Sequence, residues 1–181
     1  MTKKVNRALY GLKYIKSCTT EVLRRRLVTA LVVPHLDYCT VVYLDASIDL
    51  RTRLQRLSNS CVRYIYGVGM REHVTPYRRS LGWLRMDTRR MYFAATLMYK
   101  IHRLGKPTYL ADLFRRYQPR GPTRGERKDW SIPIARTNFG LSSFQIKCAH
   151  FWNSLPSSVR DLPSISAFKT AIYKYLLDLD A

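Results

Sequence analysis

Hydrophobic positions along this chain recur mainly at spacings of three and four, the period of an amphipathic helix. Val5, Leu9, Leu12 and Ile15 share one face over residues 3–16. Thr20 stands where a cap belongs for a second helix, EVLRRRLVTALVV, which Pro34 kinks or ends. The following HLDYCTVVYL reads either as continued helix or as a short apolar segment, because β-branched Thr40, Val41 and Val42 blur the period. Ser47 caps the clearest helix, IDLRTRLQRLSNSCVRYIYG, and Gly67 suits its C-terminal end. Leu50, Leu54, Leu57, Cys61, Tyr64 and Ile65 form a stripe about 100–120° wide, the width of a core-facing face.

Downstream, HVTPYRRSLGWL predicts a short helix with Thr75 as cap and Pro76 at its first position. Asp87 is the expected cap of a longer one, ended by Gly105, with Ala94, Leu97, Met98, Ile101 and Leu104 inward. Arg89, Thr96, Lys100 and Arg103 fall on its opposite face. Residues 115–129 hold two Pro, two Gly and six basic residues without apolar period, which marks a linker. WSIPIART is expected extended, since Pro133 turns Ile132 away from helix. SSFQIKCAHFWNSL is expected to form a helix stopping before Pro156, with Trp152 buried and Asn153 capping the turn. A Ser-capped last helix carries Phe168, Ile172, Tyr175, Leu176 and Leu179, and is expected to dock on FWNSLP.

The expected fold is therefore all-α: a helical body over residues 1–110, a basic linker over 111–129, and a small helical subdomain over 130–181. Leu50, Leu54, Leu57, Cys61, Ile65, Leu97 and Ile101 are the expected centre of the body. Hydrophobic residues make up 46% of 181, enough to build a core.

Charge changes the picture most. The chain has 32 Lys and Arg against 12 Asp and Glu, a net +20. An excess of that size opposes compaction by self-repulsion, so it points to a polyanionic partner, nucleic acid before an anionic membrane surface. Residues 1–105 carry net +14 and the remainder +6, which directs attention to the first part. The basic N-terminus has no uninterrupted apolar run of the signal-peptide kind, and residues 27–44 contain Pro34, His35 and Asp37. An intracellular protein, nuclear or cytoplasmic, without a membrane span is expected.

Candidate chemistry is sparse. Cys18, Cys39, Cys61 and Cys148 make no C-x-x-C pair and read as reduced core thiols. His35 with Cys39, and Cys148 with His150, are two-ligand pairs without a matching second pair, so core packing is expected rather than a metal. No cofactor motif and no catalytic constellation is present in the sequence. Nucleic-acid contact is assigned instead to Arg24, Arg25, Arg53, Arg56, Arg63, Arg78, Arg79, Arg89, Lys100 and Arg103. Arg53, Arg56 and Arg63 share one helix flank and can follow a phosphate strand. Arg24–Arg26 span about 200° of helix, so either one or two of them reach a ligand or the run is a solvated face. Arg78, Arg79, Arg89 and Arg90 surround LGWL, where Trp83 reads as a core anchor more than as a stacking ring.

Four segments, LVVPHLDYCTVVY, LQRLSNSCVRYIYG, TPYRRSLGWLRMDTRRMYFAATLMYKI and FWNSLPSSVRDLPSISAFK, occur in this order. Together they resemble the region downstream of the reverse transcriptase palm in non-LTR retrotransposons, above all the jockey-type, LINE-like elements, over about residues 4–176. The resemblance implies a helical thumb and a C-terminal extension. It also implies partners: RNA or an RNA/DNA hybrid duplex, and in a full-length element the palm. Copying RNA needs metal-binding carboxylates, ordinarily including Y-x-D-D. The nearest approaches, YLDA at 43–46 and LDYC at 36–39, lack the second Asp. The resemblance thus implies a palm-less fragment that binds without catalysing, its Met1 standing where the family chain is continuous. Three other readings stay open: a decayed relic without independent function, a membrane-surface-binding basic helical protein, and a nuclease, for which the scattered carboxylates offer little.

Overall fold

A computed structural model describes residues 2–118 and 128–180. Among the described residues the fold is all-α, with eleven α-helices and two 3₁₀ turns. The chain divides into two units. Unit 1 holds residues 1–40, 46–89 and 180–181; unit 2 holds 41–45 and 90–179. The division falls at Arg89/Arg90, whereas the sequence suggests a boundary at residue 110.

Unit 1 begins with α1 (Thr2–Tyr14), which buries Val5, Leu9 and Leu12. Thr20 caps α2 (Glu21–Leu31) by accepting the Leu23 amide. Pro34 ends that axis and starts the short α3 (Val33–Asp37). The ambiguous segment after it is not continued helix: Tyr38 is extended, Cys39 has φ +52°, and 3₁₀ turns follow over Thr40–Asp45. The β-branched run there resists the α-helix, and a non-glycine residue at positive φ breaks the hydrogen-bond ladder. Ser47 accepts from the Leu50 amide to cap α4 (Ile48–Tyr66), and Gly67 closes it at φ +72°, where a Cβ would be strained.

Leu54, Leu57, Cys61, Val62 and Ile65 of α4 pack with Val28, Val32 and Leu36 and with the buried face of α1. Leu50 lies at the margin of this core, half-buried. The Tyr64 hydroxyl donates to the Leu12 carbonyl at 3.0 Å, so a buried phenol is satisfied rather than stranded. Next comes α5 (Thr75–Ser80); Val74, not Thr75, stands at the N-cap position, with no side-chain cap, and Pro76 keeps its place in the first turn. Trp83 is half-buried against the same core.

The long helix α6 (Met86–Leu104) starts one residue before the expected Asp87 cap. Asp87 accepts two hydrogen bonds from Arg51, at 3.1 and 3.0 Å, so its carboxylate serves an ion pair. Two further expectations change on α6. Thr96 is buried, because its hydroxyl donates to the Tyr92 carbonyl one turn back and leaves no donor stranded. Leu97 is half-buried and Leu104 exposed. Leu97 and Ile101 also belong to unit 2, apart from the α4 stripe with which they were grouped.

Unit 2 continues with α7 (Thr108–Ala111), α8 (Asn138–Leu141), α9 (Phe144–Ser154), α10 (Ser157–Arg160) and α11 (Ile165–Leu179). The Ser164 hydroxyl caps α11 by accepting the Ala167 amide. Residues 119–127 of the expected linker lie outside the described residues. Its two flanks pair antiparallel: Tyr117 N–H donates to the Asp129 carbonyl, and Ser131 N–H to that of Arg115. Asn153 does not cap a turn. Its side chain accepts from the amides of Asp129 and Trp130 and donates to the Trp130 carbonyl, fixing the chain at 129–130. Trp152 is fully buried and stacks on Phe168 at 5.7 Å, joining the tail helix to FWNSLP.

Candidate nucleic-acid interface

The ten arginines and lysines singled out in the sequence do three different things. Some hold the fold. Arg24 donates to the Tyr64 carbonyl at 3.0 Å, near the C-terminal end of α4, where the helix dipole favours a cation. Arg63 donates to the carbonyls of Gly69, Met70 and Glu72, each at 3.1 Å, and so shapes the 69–72 loop. Arg78 is buried and donates to the Trp83 carbonyl at 2.9 Å. Arg89 forms a two-pronged pair with Asp37 at 2.5 and 2.7 Å. Arg103, in unit 2, donates to the carbonyls of Asp161 and Leu162. Arg53 pairs with Asp49 one turn earlier, on open surface. The remaining four, Arg25, Arg56, Arg79 and Lys100, are exposed, with no side-chain hydrogen bond or ion pair among the described residues.

The flank shared by Arg53, Arg56 and Arg63 is therefore not a uniform phosphate track. A cleft of about 600 Å³ in unit 1 gathers charge instead. Its walls are α4, through Gln55, Asn59 and Arg63; the 70–74 loop, through Arg71 and His73; α5, through Arg78 and Arg79; and Arg85 just before α6. Five guanidinium groups line it against two carboxylates, Glu72 and Asp180. An adjoining cleft of about 450 Å³ shares Gln55, Asn59 and Arg85 and adds Arg51, Arg56 and Asp87.

Both carboxylates of the larger cleft are engaged. Glu72 accepts from the Gly69 amide and from the Tyr77 hydroxyl, which pushes the Tyr77 phenol above its ordinary value. One Asp180 oxygen accepts from the Arg85 amide at 2.7 Å, the Thr88 hydroxyl at 2.6 Å and Arg78 at 3.4 Å. Burial pulls the Arg78 guanidinium below its ordinary value; Asp180 opposes this, while the like charges of Arg85 and Arg79 add to it. The side chains of Arg71, Arg79 and Arg85 have no partner among the described residues. Their charges face solvent at the rim of a site whose own anions are already committed.

Of the residues that sequence reasoning assigns to nucleic-acid contact, the structure places Arg63, Arg78 and Arg79 in this cleft and Arg56 beside it. Sequence reasoning misses Arg71 and Arg85. Both lie in connections between helices, where no hydrophobic period assigns a face. The available signal was a basic residue abutting a Gly-containing loop, in GVGMREH, and one directly before a helix start, in WLRMD.

The other chemical expectations have structural outcomes. Cys61 and Cys148 are buried, but Cys18 and Cys39 are exposed and do not act as core residues. Among the described residues, no group of three or more His, Cys, Asp or Glu could hold a metal ion, and no helix is long and apolar enough to cross a membrane. Comparisons with known proteins found no matching family model, no matching curated protein and no matching solved structure.

Proposed function

We propose that unit 1 grips the sugar–phosphate backbone of RNA or an RNA/DNA hybrid duplex, as the thumb-like part of a palm-less fragment resembling a non-LTR retrotransposon RNA-directed DNA polymerase, and does so without catalysing polymerisation. The observation that carries this reading is the pair of adjoining clefts on α4, where Arg56, Arg71, Arg79 and Arg85 present guanidinium groups without protein partners among the described residues. Guanidinium forks match phosphate oxygens and carry no sequence information, which suits a grip on backbone. The net charge of +20 favours the same class of partner.

The test is a fluorescence titration of a labelled hybrid duplex against purified protein at several salt concentrations. Affinity falls steeply with salt, and Arg56→Ala and Arg85→Ala each reduce the logarithmic salt slope by about one. A folded protein that ignores the duplex at low salt, or binds it equally at all salt concentrations, overturns the proposal. The relic reading draws on a different observation, the exposed apolar side chains Ile134, Phe139 and Leu141 in unit 2. It requires aggregation of the isolated chain, so a monomer with cooperative melting counts against it.

A further inference from the structure

The larger cleft of unit 1 is lined by cations from several parts of the chain. Its free guanidinium groups come from three separate segments: Arg71 from the 70–74 loop, Arg79 from α5, and Arg85 from the residue just before α6. A row of cations along one helix follows successive diesters. Cations drawn from several directions around one hollow enclose a single anion.

The hollow already accommodates anionic chemistry at its edge. The Asp180 carboxylate is seated by a backbone amide, a hydroxyl and the buried Arg78, with both ionic side chains almost wholly withdrawn from solvent. That one carboxylate is opposed by more positive charge than it neutralises, since Arg79 and Arg85 both act on Arg78. The Gln55 amide nitrogen donates to Asn59, and the Gln55 oxygen accepts from the Met86 amide; these two side chains give the wall next to the arginines a polar character suited to a sugar.

We propose that this cleft binds the terminal phosphomonoester of a nucleic-acid strand. The inference rests on the nucleic-acid reading above and adds end recognition to it. A monoester carries close to two negative charges near neutral pH and three free oxygens, against one charge and two non-bridging oxygens for a diester. Three forked cations lining one cleft discriminate in favour of the former. A volume of about 600 Å³ falls in the range of pockets that hold small ligands, and accommodates a terminal nucleotide.

The experiment compares one oligonucleotide in three forms, with a 5′-phosphate, a 3′-phosphate or hydroxyls at both ends, by fluorescence titration at fixed salt and pH 7.5. One phosphorylated form binds about tenfold tighter than the hydroxyl form, the effect of one added charge-assisted contact. In Arg79→Ala and, independently, Arg71→Ala, the ratio between the two forms falls towards one; both side chains are exposed, so circular dichroism stays unchanged. Inorganic pyrophosphate at millimolar concentration competes more strongly with the phosphorylated form than with the hydroxyl form, whose backbone meets the same guanidinium groups. Equal affinity for all three forms, with salt-sensitive binding retained, overturns end recognition and leaves the backbone reading standing. Competition by pyrophosphate without any preference among oligonucleotides also overturns it, in favour of a free-phosphate site. Absence of binding by every form overturns both.

Discussion

Units 1 and 2 solve the same problem, burying enough surface on a strongly basic chain, with different materials. The core of unit 1 is largely aliphatic: Val5, Leu9, Val28, Val32, Leu54, Val62 and Ile65 contribute shape without polar demands. The core of unit 2 adds aromatic and charged groups to aliphatic residues such as Ile146, Leu155, Ile172 and Leu176. Tyr99 stacks on Phe168 at 4.5 Å, Phe168 on Trp152, and His102 approaches both Trp152 and Trp130. Within that core Arg160 is fully buried; it donates to Asp129 at 2.9 Å, and the same Asp129 oxygen accepts the Trp152 indole N–H. The difference teaches where arginine is available for binding. In unit 2, Arg103, Arg116 and Arg160 are committed to carbonyls, a ring face and a buried carboxylate. In unit 1 Arg24, Arg63, Arg78 and Arg89 are committed in the same way, but Arg56, Arg71, Arg79 and Arg85 have no partner among the described residues and remain for a ligand.

The comparison is broken most forcefully at Asp129. Among the described residues Arg160 Nε and Nη2 have no hydrogen-bond partner, so its buried charge depends heavily on this carboxylate. Removing one partner of a buried pair leaves an uncompensated charge and costs about 3–5 kcal/mol. Asp129→Ala is expected to lower stability by that amount in urea denaturation, with hydrogen-exchange protection lost in α9 and α11. Asp129→Leu combined with Arg160→Met recovers much of the loss, because an apolar pair carries no desolvation penalty. A single substitution within about 1 kcal/mol of the parent would refute the role given to the pair.

This pair also shows what the sequence conceals. Asp129 and Arg160 are 31 positions apart, and Asp129 ends a run that reads as solvated linker. No local period betrays a long-range partner. Helices with strong periodicity and local caps were legible: Thr20, Ser47, Gly67 and Gly105 all act near helix ends within a few residues of their own signals. Short helices such as α7, α8 and α10, of four residues each, show no period to detect. At the candidate site the same division holds. Arg56 and Arg79 were legible from helix position, whereas Arg71, Arg85 and the Asp180 seat depend on which loops meet in space.

Cysteine chemistry sharpens the contrast at the next scale. Burial pushes the thiols of Cys61 in unit 1 and Cys148 in unit 2 from an ordinary 9.0 up to about 12. Cys18 and Cys39, both in unit 1, are exposed. A thiol-specific reagent at pH 8 is expected to label two cysteines rapidly in the native protein, both in unit 1, and all four after denaturation. The unfolded chain releases these two protons near pH 9, while the folded chain holds them to about pH 12. Their contribution to stability is thus complete below pH 9 and declines as pH rises through that window. Rapid labelling of Cys148 in the folded protein would contradict the closed core of unit 2.

The smallest effect tests whether unit 1's surface arginines are dispensable for folding. Arg53 and Asp49 form an exposed pair one turn apart, of a kind that contributes at most about 0.5 kcal/mol. Arg24 makes a half-buried contact to a backbone carbonyl near the end of α4, worth about 1 kcal/mol. Arg53→Ala should leave the denaturation midpoint nearly unchanged, and Arg24→Ala should lower it measurably. In the hybrid titration the ranking reverses. Asp49 holds Arg53 only weakly against solvent, so a phosphate can recruit it, and its loss weakens binding at low salt. Arg24 already donates to the Tyr64 carbonyl, half-buried, and contributes little. An Arg53 variant that lost stability but kept its affinity would mean that unit 1 commits its arginines to folding, as unit 2 does.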